Sequence, residues 1–306
     1  MSRHDPVLSK ETVEWIAVGE APSGNYVDAT FGRGGHSRCL LERLDASSRL
    51  LALDRDLTAV TAARALAERD ARVIPHHGAF GNIAAILDEV GMSEVQGAIM
   101  DLGVSSPQLD DSERGFSFRS SGPLDMRMDQ SQKLRADTWL NEASLSEVTK
   151  VLREYGEERH AVRIAQAIVR ARPLTTTIEL AQIVAGAQPR STPGKHDATR
   201  VFQAVRIFVN SELDELRAGL DGLFPRLVHG GRLAVISFHS LEDRIVKRFF
   251  RSHSTPPRVP REIPIKNRDI VVPGRIVAGP IRASDREVSQ NPRARSALLR
   301  VLERAA

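Results

Sequence analysis

The 306-residue chain holds one cysteine, two tryptophans and two tyrosines, and only 6 Lys beside 37 Arg. The lone Cys39 has no partner for an intramolecular disulfide and no second thiolate for a metal cluster, so it reads as a packing residue. No apolar run approaches the roughly 18 residues of a membrane span, and Met1-Ser-Arg-His-Asp-Pro6 lacks the apolar stretch of a secretion signal. Both absences point to a soluble, cytoplasmic protein. No Gly-Lys-Ser/Thr follows the glycine-rich stretch, which excludes a P-loop. His76 and His77 are neighbours on an expected strand and point to opposite faces, so they are not expected to chelate one metal, and no metal-ligating residue is assigned. No internal repeat is visible.

What is present has size and pattern. With 41% hydrophobic residues the chain can bury a proper core, and its length allows a main domain carrying a smaller one. From Asn25 to Gly103 short strands alternate with helices. The strands are Asn25–Thr30, Arg49–Asp54, Arg72–His77 and Gln96–Leu102, and the helices Gly34–Leu44, Leu57–Arg69 and Phe80–Val90. Such alternation predicts right-handed crossovers and a doubly wound, Rossmann-like parallel α/β sheet. The alternation then stops for about a hundred residues. Ser144-Leu-Ser-Glu147 and Thr176-Thr-Ile-Glu179 are capping boxes, Glu158–Ala171 has helical spacing, and Pro173 stops it. These predict an inserted α-helical subdomain over residues 109–205, with the main domain formed by 1–108 and 206–306. Gln188–Asp197 reads as the loop leading out of it. Thr199–Leu223 reads as one long helix with a single apolar stripe, packing back on the sheet. Gly230–Phe238 is a fifth strand, Leu241–Phe250 a helix, Ser254–Ile281 with its six prolines an extended loop, and Ser296–Leu302 a last strand.

The chemistry concentrates at strand ends. Asp28-Ala-Thr-Phe-Gly-Arg-Gly-Gly-His36 is a strand end running into a glycine turn, and Asp54 closes the next strand where nucleotide-binding folds hold ribose. The G-x-G-x-x-G pattern fits in part, with Ser37 in the third glycine's place. Asp28 favours the cationic end of S-adenosylmethionine over a repelled pyrophosphate, unless it only caps the turn. Asp54 is otherwise an N-cap, and Phe80 either lies against an adenine ring or is plain core. Asp101 suits an adenine amino group, and Ser105, Ser106 and Gln108 add polar atoms after the fourth strand. Arg114, Phe116 and Phe118 suit a phosphate and stacked bases, or plug a loop. His239 is a candidate general base, with capping by Ser240 and ion pairing by Glu242, Asp243 and Arg244 as the alternative. Residues 239–306 hold 15 Arg and Lys against 7 Asp and Glu, while the whole chain carries only +4, and that imbalance favours a polyanionic partner.

Several of these stretches together resemble the bacterial 16S ribosomal RNA cytosine-N4 methyltransferase family, known as RsmH or MraW. They are His4–Leu8, Asp28–His36, Asp101–Asp110, Arg114–Phe118, Pro123–Met128, Tyr155–Glu158, Phe202–Ile207 and Ser237–Arg244. The resemblance implies a class I methyltransferase whose inserted helical domain recognises substrate. It implies S-adenosyl-L-methionine as cofactor, and N4 of a cytidine in the decoding centre of the small ribosomal subunit as target. It assigns the cofactor to Gly34, Gly35, His36, Asp54, Phe80, Asp101 and Gln108, and leaves Asp28 a supporting role. Ser106, or Ser105 beside it, is then the candidate for holding the target amine, with Phe116 or Phe118 stacking the base. The rival readings are a small-molecule methyltransferase on the same fold, a non-catalytic RNA-binding assembly factor, and an NAD-dependent dehydrogenase. The sequence leaves a homodimer open.

Overall fold

Leu50, Leu51, Ala52 and Leu53 are consecutive, apolar and fully buried, as in a strand covered on both faces. In the computed structural model, which describes residues 6–20, 22–188, 198–256 and 272–305, that strand lies inside a seven-stranded sheet. The strands are β1 (Asn25–Asp28), β2 (Arg49–Asp54), β3 (Val73–His77), β4 (Val95–Asp101), β5 (Leu227–Ser237), β6 (Gly274–Arg282) and β7 (Leu298–Arg304). Their order is β3-β2-β1-β4-β5-β7-β6. The first five run parallel, and β7 enters antiparallel between β5 and β6. The order reverses beside β1, which pairs with both β2 and β4, and such a switch point opens a crevice at the carboxyl ends of the strands.

The chain divides into two compact units, residues 1–103 with 213–306, and residues 104–212. The first contains the sheet, with an apolar core on each face. The second is helical, built from Ser106–Asp110, Ala136–Glu142, Leu145–Glu154, Ala161–Arg170, Thr177–Ala187 and Thr199–Val209 around its own core of Leu124, Leu140, Leu152, Ile164, Ile168 and Val205. Ser144 and Thr176 each close a capping box with Glu147 and Glu179, so two of these helices start where their capping signals stand.

Two expectations need correcting. The stretch Thr199–Leu223 is two helices, Thr199–Val209 and Glu212–Leu223, and the second packs on the sheet through Leu216, Leu220 and Leu223. The break is local: Ser211 sits at φ +50°, in the left-handed region. Beside it the buried Asn210 side chain accepts from the Met128 amide at 2.7 Å and donates to the Met126 carbonyl at 2.7 Å. The apolar stripe continues through the break, which hides it. Likewise Gly274–Ile281, expected as loop, lies in β6, whose partner is the final strand β7. Its one proline, Pro280, does not prevent this, because an edge strand tolerates a missing donor. Residues 189–197 of the exit loop and 257–271 of the proline-rich stretch lie outside the described residues, as do the first five positions.

Candidate active site

The glycine turn is tied to the second strand. Gly32 and Gly34 take φ of +55° and +70°, and a Cβ on Gly34 would collide with the Phe31 ring. The turn directs the Gly32 amide onto the Asp54 carboxylate at 2.7 Å, and the Asp56 amide reaches its other oxygen at 2.8 Å. The helix cap considered for Asp54 is provided by Asp56, whose carboxylate accepts from the Thr58 amide at 2.9 Å. Asp54 is therefore clamped at the carboxyl end of β2. Burial pushes its carboxyl up to about 6, against the two amide donors, and the charges of Asp56 and Asp28 add to the rise.

Asp28 and Asp101 end the two strands flanking the switch point. Asp28 is buried, with one oxygen on the Ser37 hydroxyl at 2.6 Å and the other 3.3 Å from the Thr30 amide. Burial raises its pKa, only partly opposed by these donors and by His36. Both oxygens are used inside the fold, so Asp28 braces the turn. Asp101 receives the Thr30 hydroxyl oxygen as acceptor for its backbone amide at 2.6 Å. Its Oδ2 lies 3.4 Å from Nε2 of the buried His36, on the first turn of the helix Gly35–Leu41. Burial opposes a charge on His36, yet Asp101, Asp28 and Glu287 together raise its pKa. Among the described residues, Oδ1 of Asp101 and Nδ1 of His36 are buried without a hydrogen-bond partner, and Nε2 has only the long contact to Asp101. A buried acceptor and a buried ring nitrogen left unpaired are costly, and a polar ligand relieves that cost.

Phe80 opens a short 3-10 turn after β3 and is half-buried. A Cβ on Gly219 would stand 2.7 Å from its ring, and Glu215 accepts from the Gly81 amide at 2.9 Å, so the helix Glu212–Leu223 fixes the position of Phe80. Glu215 and Thr30 escaped the sequence reading, and Ser37 entered it only as the occupant of the third glycine's place. Glu215 stands on the polar side of an amphipathic helix, and nothing local marks its distant partner.

The remaining candidates have partners elsewhere in the fold. Ser105, Ser106 and Gln108 fall in the helical unit, where Ser105 caps the helix Ser106–Asp110 and the buried Gln108 accepts from the Ser105 amide at 2.9 Å. Arg114 and Phe116 are both buried, and Phe116 belongs to the core of that unit. The Arg114 guanidinium donates to the carbonyls of Arg127 and Met128, at 3.1 and 2.9 Å. The polar-looking stretch is folded inward around this buried cation. Phe118 packs edge-on against Phe202 at 4.8 Å. His239, not Ser240, is the N-cap of the helix Ser240–Ser254, with Nδ1 accepting from the Glu242 amide at 3.4 Å and Nε2 3.2 Å from Glu242 Oε1. Its ring is used as a cap, which leaves little for a general base. Asp243 pairs with Arg300 at 2.7 Å.

A parallel sheet with an antiparallel strand inserted at its sixth position, and carboxylates at the ends of β2 and β4 beside a glycine turn, define an S-adenosylmethionine-dependent methyltransferase. The cofactor suits the site: Asp101 Oδ1 is a buried acceptor without a donor among the described residues, and Asp54 and Asp101 both close strands at the carboxyl edge of the same sheet. The sequence model of the MraW methylase family matches residues 1–305, and the chain belongs to that family. A protein of Azoarcus sp. named Ribosomal RNA small subunit methyltransferase H is 52% identical over 306 residues, covering 99% of this chain and 97% of the relative. A protein of the same name from Coxiella burnetii is 50% identical, covering 99% of both chains. A solved rRNA methylase from Streptococcus thermophilus aligns over 100% of both chains at 11% identity with a TM-score of 0.40.

Proposed function

We propose that the protein methylates N4 of a cytidine in the decoding centre of 16S rRNA, acting on the small ribosomal subunit. The observation that carries this reading is the end-to-end similarity to proteins named as methyltransferases of small-subunit rRNA, joined to the acidic sheet edge described above. When bound, S-adenosylmethionine supplies an electrophilic methyl group on a sulfonium.

The chain's own residues do the rest. Asp54, already held by two backbone amides, accepts from the ribose hydroxyls. Asp101 offers its unpaired Oδ1 to the adenine amino group, and Phe80 lies against the ring. Gly34, Gly35 and His36 hold the methionine end, with Gln108 in the positioning role its hydrogen bond to Ser105 suggests. The exocyclic amine of cytosine is conjugated with its ring and is a poor nucleophile, so the protein must orient its lone pair toward the methyl and absorb developing positive charge. Ser106, five residues along the chain from Asp101, is proposed to hold that amine, with Ser105 fixing its helix turn. Burial of Arg114 and Phe116 leaves Phe118 as the remaining aromatic of that motif for base stacking.

The test is mass mapping of modified nucleosides in 16S rRNA from cells with and without the gene, followed by transfer of labelled methyl to subunits from the deleted strain. N4-methylcytidine in the decoding centre should vanish on deletion and return with purified protein. Its persistence in the deleted strain would overturn the reading.

A further inference from the structure

The helix Ser240–Ser254 carries Arg244, Lys247, Arg248 and Arg251 at i, i+3, i+4 and i+7, which places four cations on one face over about 10.5 Å of axis. All four are exposed, while Leu241, Val246 and Phe250 on the other side are buried and Ile245 and Phe249 pack on the same core. The helix has acids only in its first turn, and both are committed. Glu242 accepts from the Phe238 amide at 2.8 Å, and Asp243 holds Arg300. On the strand β7, which this helix packs against, Glu303 is paired with Arg232 and Arg275.

Lys247, Arg248 and Arg251 make no ion pair among the described residues. Arg244 with Arg248, and Lys247 with Arg251, are like charges one helical turn apart, an arrangement that costs an isolated helix stability. Lys247, Arg248 and Arg251 therefore stand as an exposed cationic row without a carboxylate partner among the described residues, the charge pattern that a polyanion matches. The helix also begins directly after β5, at the carboxyl edge of the sheet that holds Asp54 and Asp101.

We propose that this face binds the phosphate backbone of the RNA substrate, so that the strand is held alongside the sheet edge where methyl transfer takes place. The proposal rests on the function proposed above. Arginine suits it, because its planar fork takes phosphate oxygens in pairs.

The experiment measures the affinity of the full-length protein for small ribosomal subunits from the deleted strain across a KCl series, for wild type, K247Q/R248Q/R251Q and K247E/R248E/R251E. Removing three phosphate contacts should flatten the slope of log affinity against log salt by about 2, and weaken binding roughly tenfold or more at low salt. Glutamate should weaken it further than glutamine. Cofactor affinity and thermal midpoint serve as folding controls and should match wild type in the glutamine variant. An unchanged salt slope in a folded glutamine variant would overturn the proposal. So would equal loss of cofactor and subunit binding, which would mark the face as structural. The two readings separate cleanly: wild type that binds subunits through this face but transfers no methyl group refutes the proposed function and supports the docking surface.

Discussion

Asp54 shows how one carboxylate links stability and binding. In the unfolded chain it ionises near 3.8, and in the fold near 6. A raised folded value means that its contribution is complete below pH 3.8 and is lost as pH rises through 6, a swing of up to about 3 kcal/mol. Urea titrations of wild type against Asp54→Asn across pH 4 to 7 should therefore show wild type losing relative stability as pH rises. Cofactor affinity should move the opposite way, strengthening as Asp54 ionises and becomes a better acceptor, and calorimetry should find that dependence flattened in Asp54→Asn, with affinity reduced roughly 10- to 100-fold. Ser106→Ala should lower turnover about tenfold or more with cofactor affinity unchanged, and unchanged turnover would end the serine's proposed part in holding the amine.

At the scale of elements, caps and breaks decide where helices start and stop. His239→Ala removes an N-cap and should cost about 1 kcal/mol, measured by urea denaturation. If His239 were instead the catalytic base, turnover in that variant would fall by orders of magnitude beyond the stability loss. Asn210→Ala strips the Met126 carbonyl and the Met128 amide of a buried partner and should cost about 2 to 4 kcal/mol, more than a surface substitution by a wide margin. The capping boxes at Ser144 and Thr176 were legible because each is a four-residue pattern whose partners are neighbours. The break at Ser211 was not, because its cause includes a hydrogen bond from Asn210 to a loop more than eighty residues earlier.

For the whole molecule, sign and placement of charge matter more than the net +4. The surplus in residues 239–306 includes a cationic helix face, so the KM of wild type for subunits should climb steeply between 50 and 200 mM KCl while cofactor affinity changes little. Kinetics at fixed saturating cofactor would check this, and a salt-independent KM would argue for a small-molecule substrate.

The sequence alone determined the alternation of β1 to β4 with helices, the glycine turn, the strand-end carboxylates and the family. These are local patterns with fixed periods, or motifs that survive as strings. Tertiary structure decided the rest. It turned Arg114 and Phe116 inward, because a buried guanidinium found the carbonyls of Arg127 and Met128 across a turn no periodicity describes. It made β6 from a proline-rich stretch, because an edge strand is specified by its neighbour β7 as much as by its own residues. It also brought His36 to Asp101, two residues sixty-five positions apart whose pairing exists only because β1 and β4 lie side by side in the sheet.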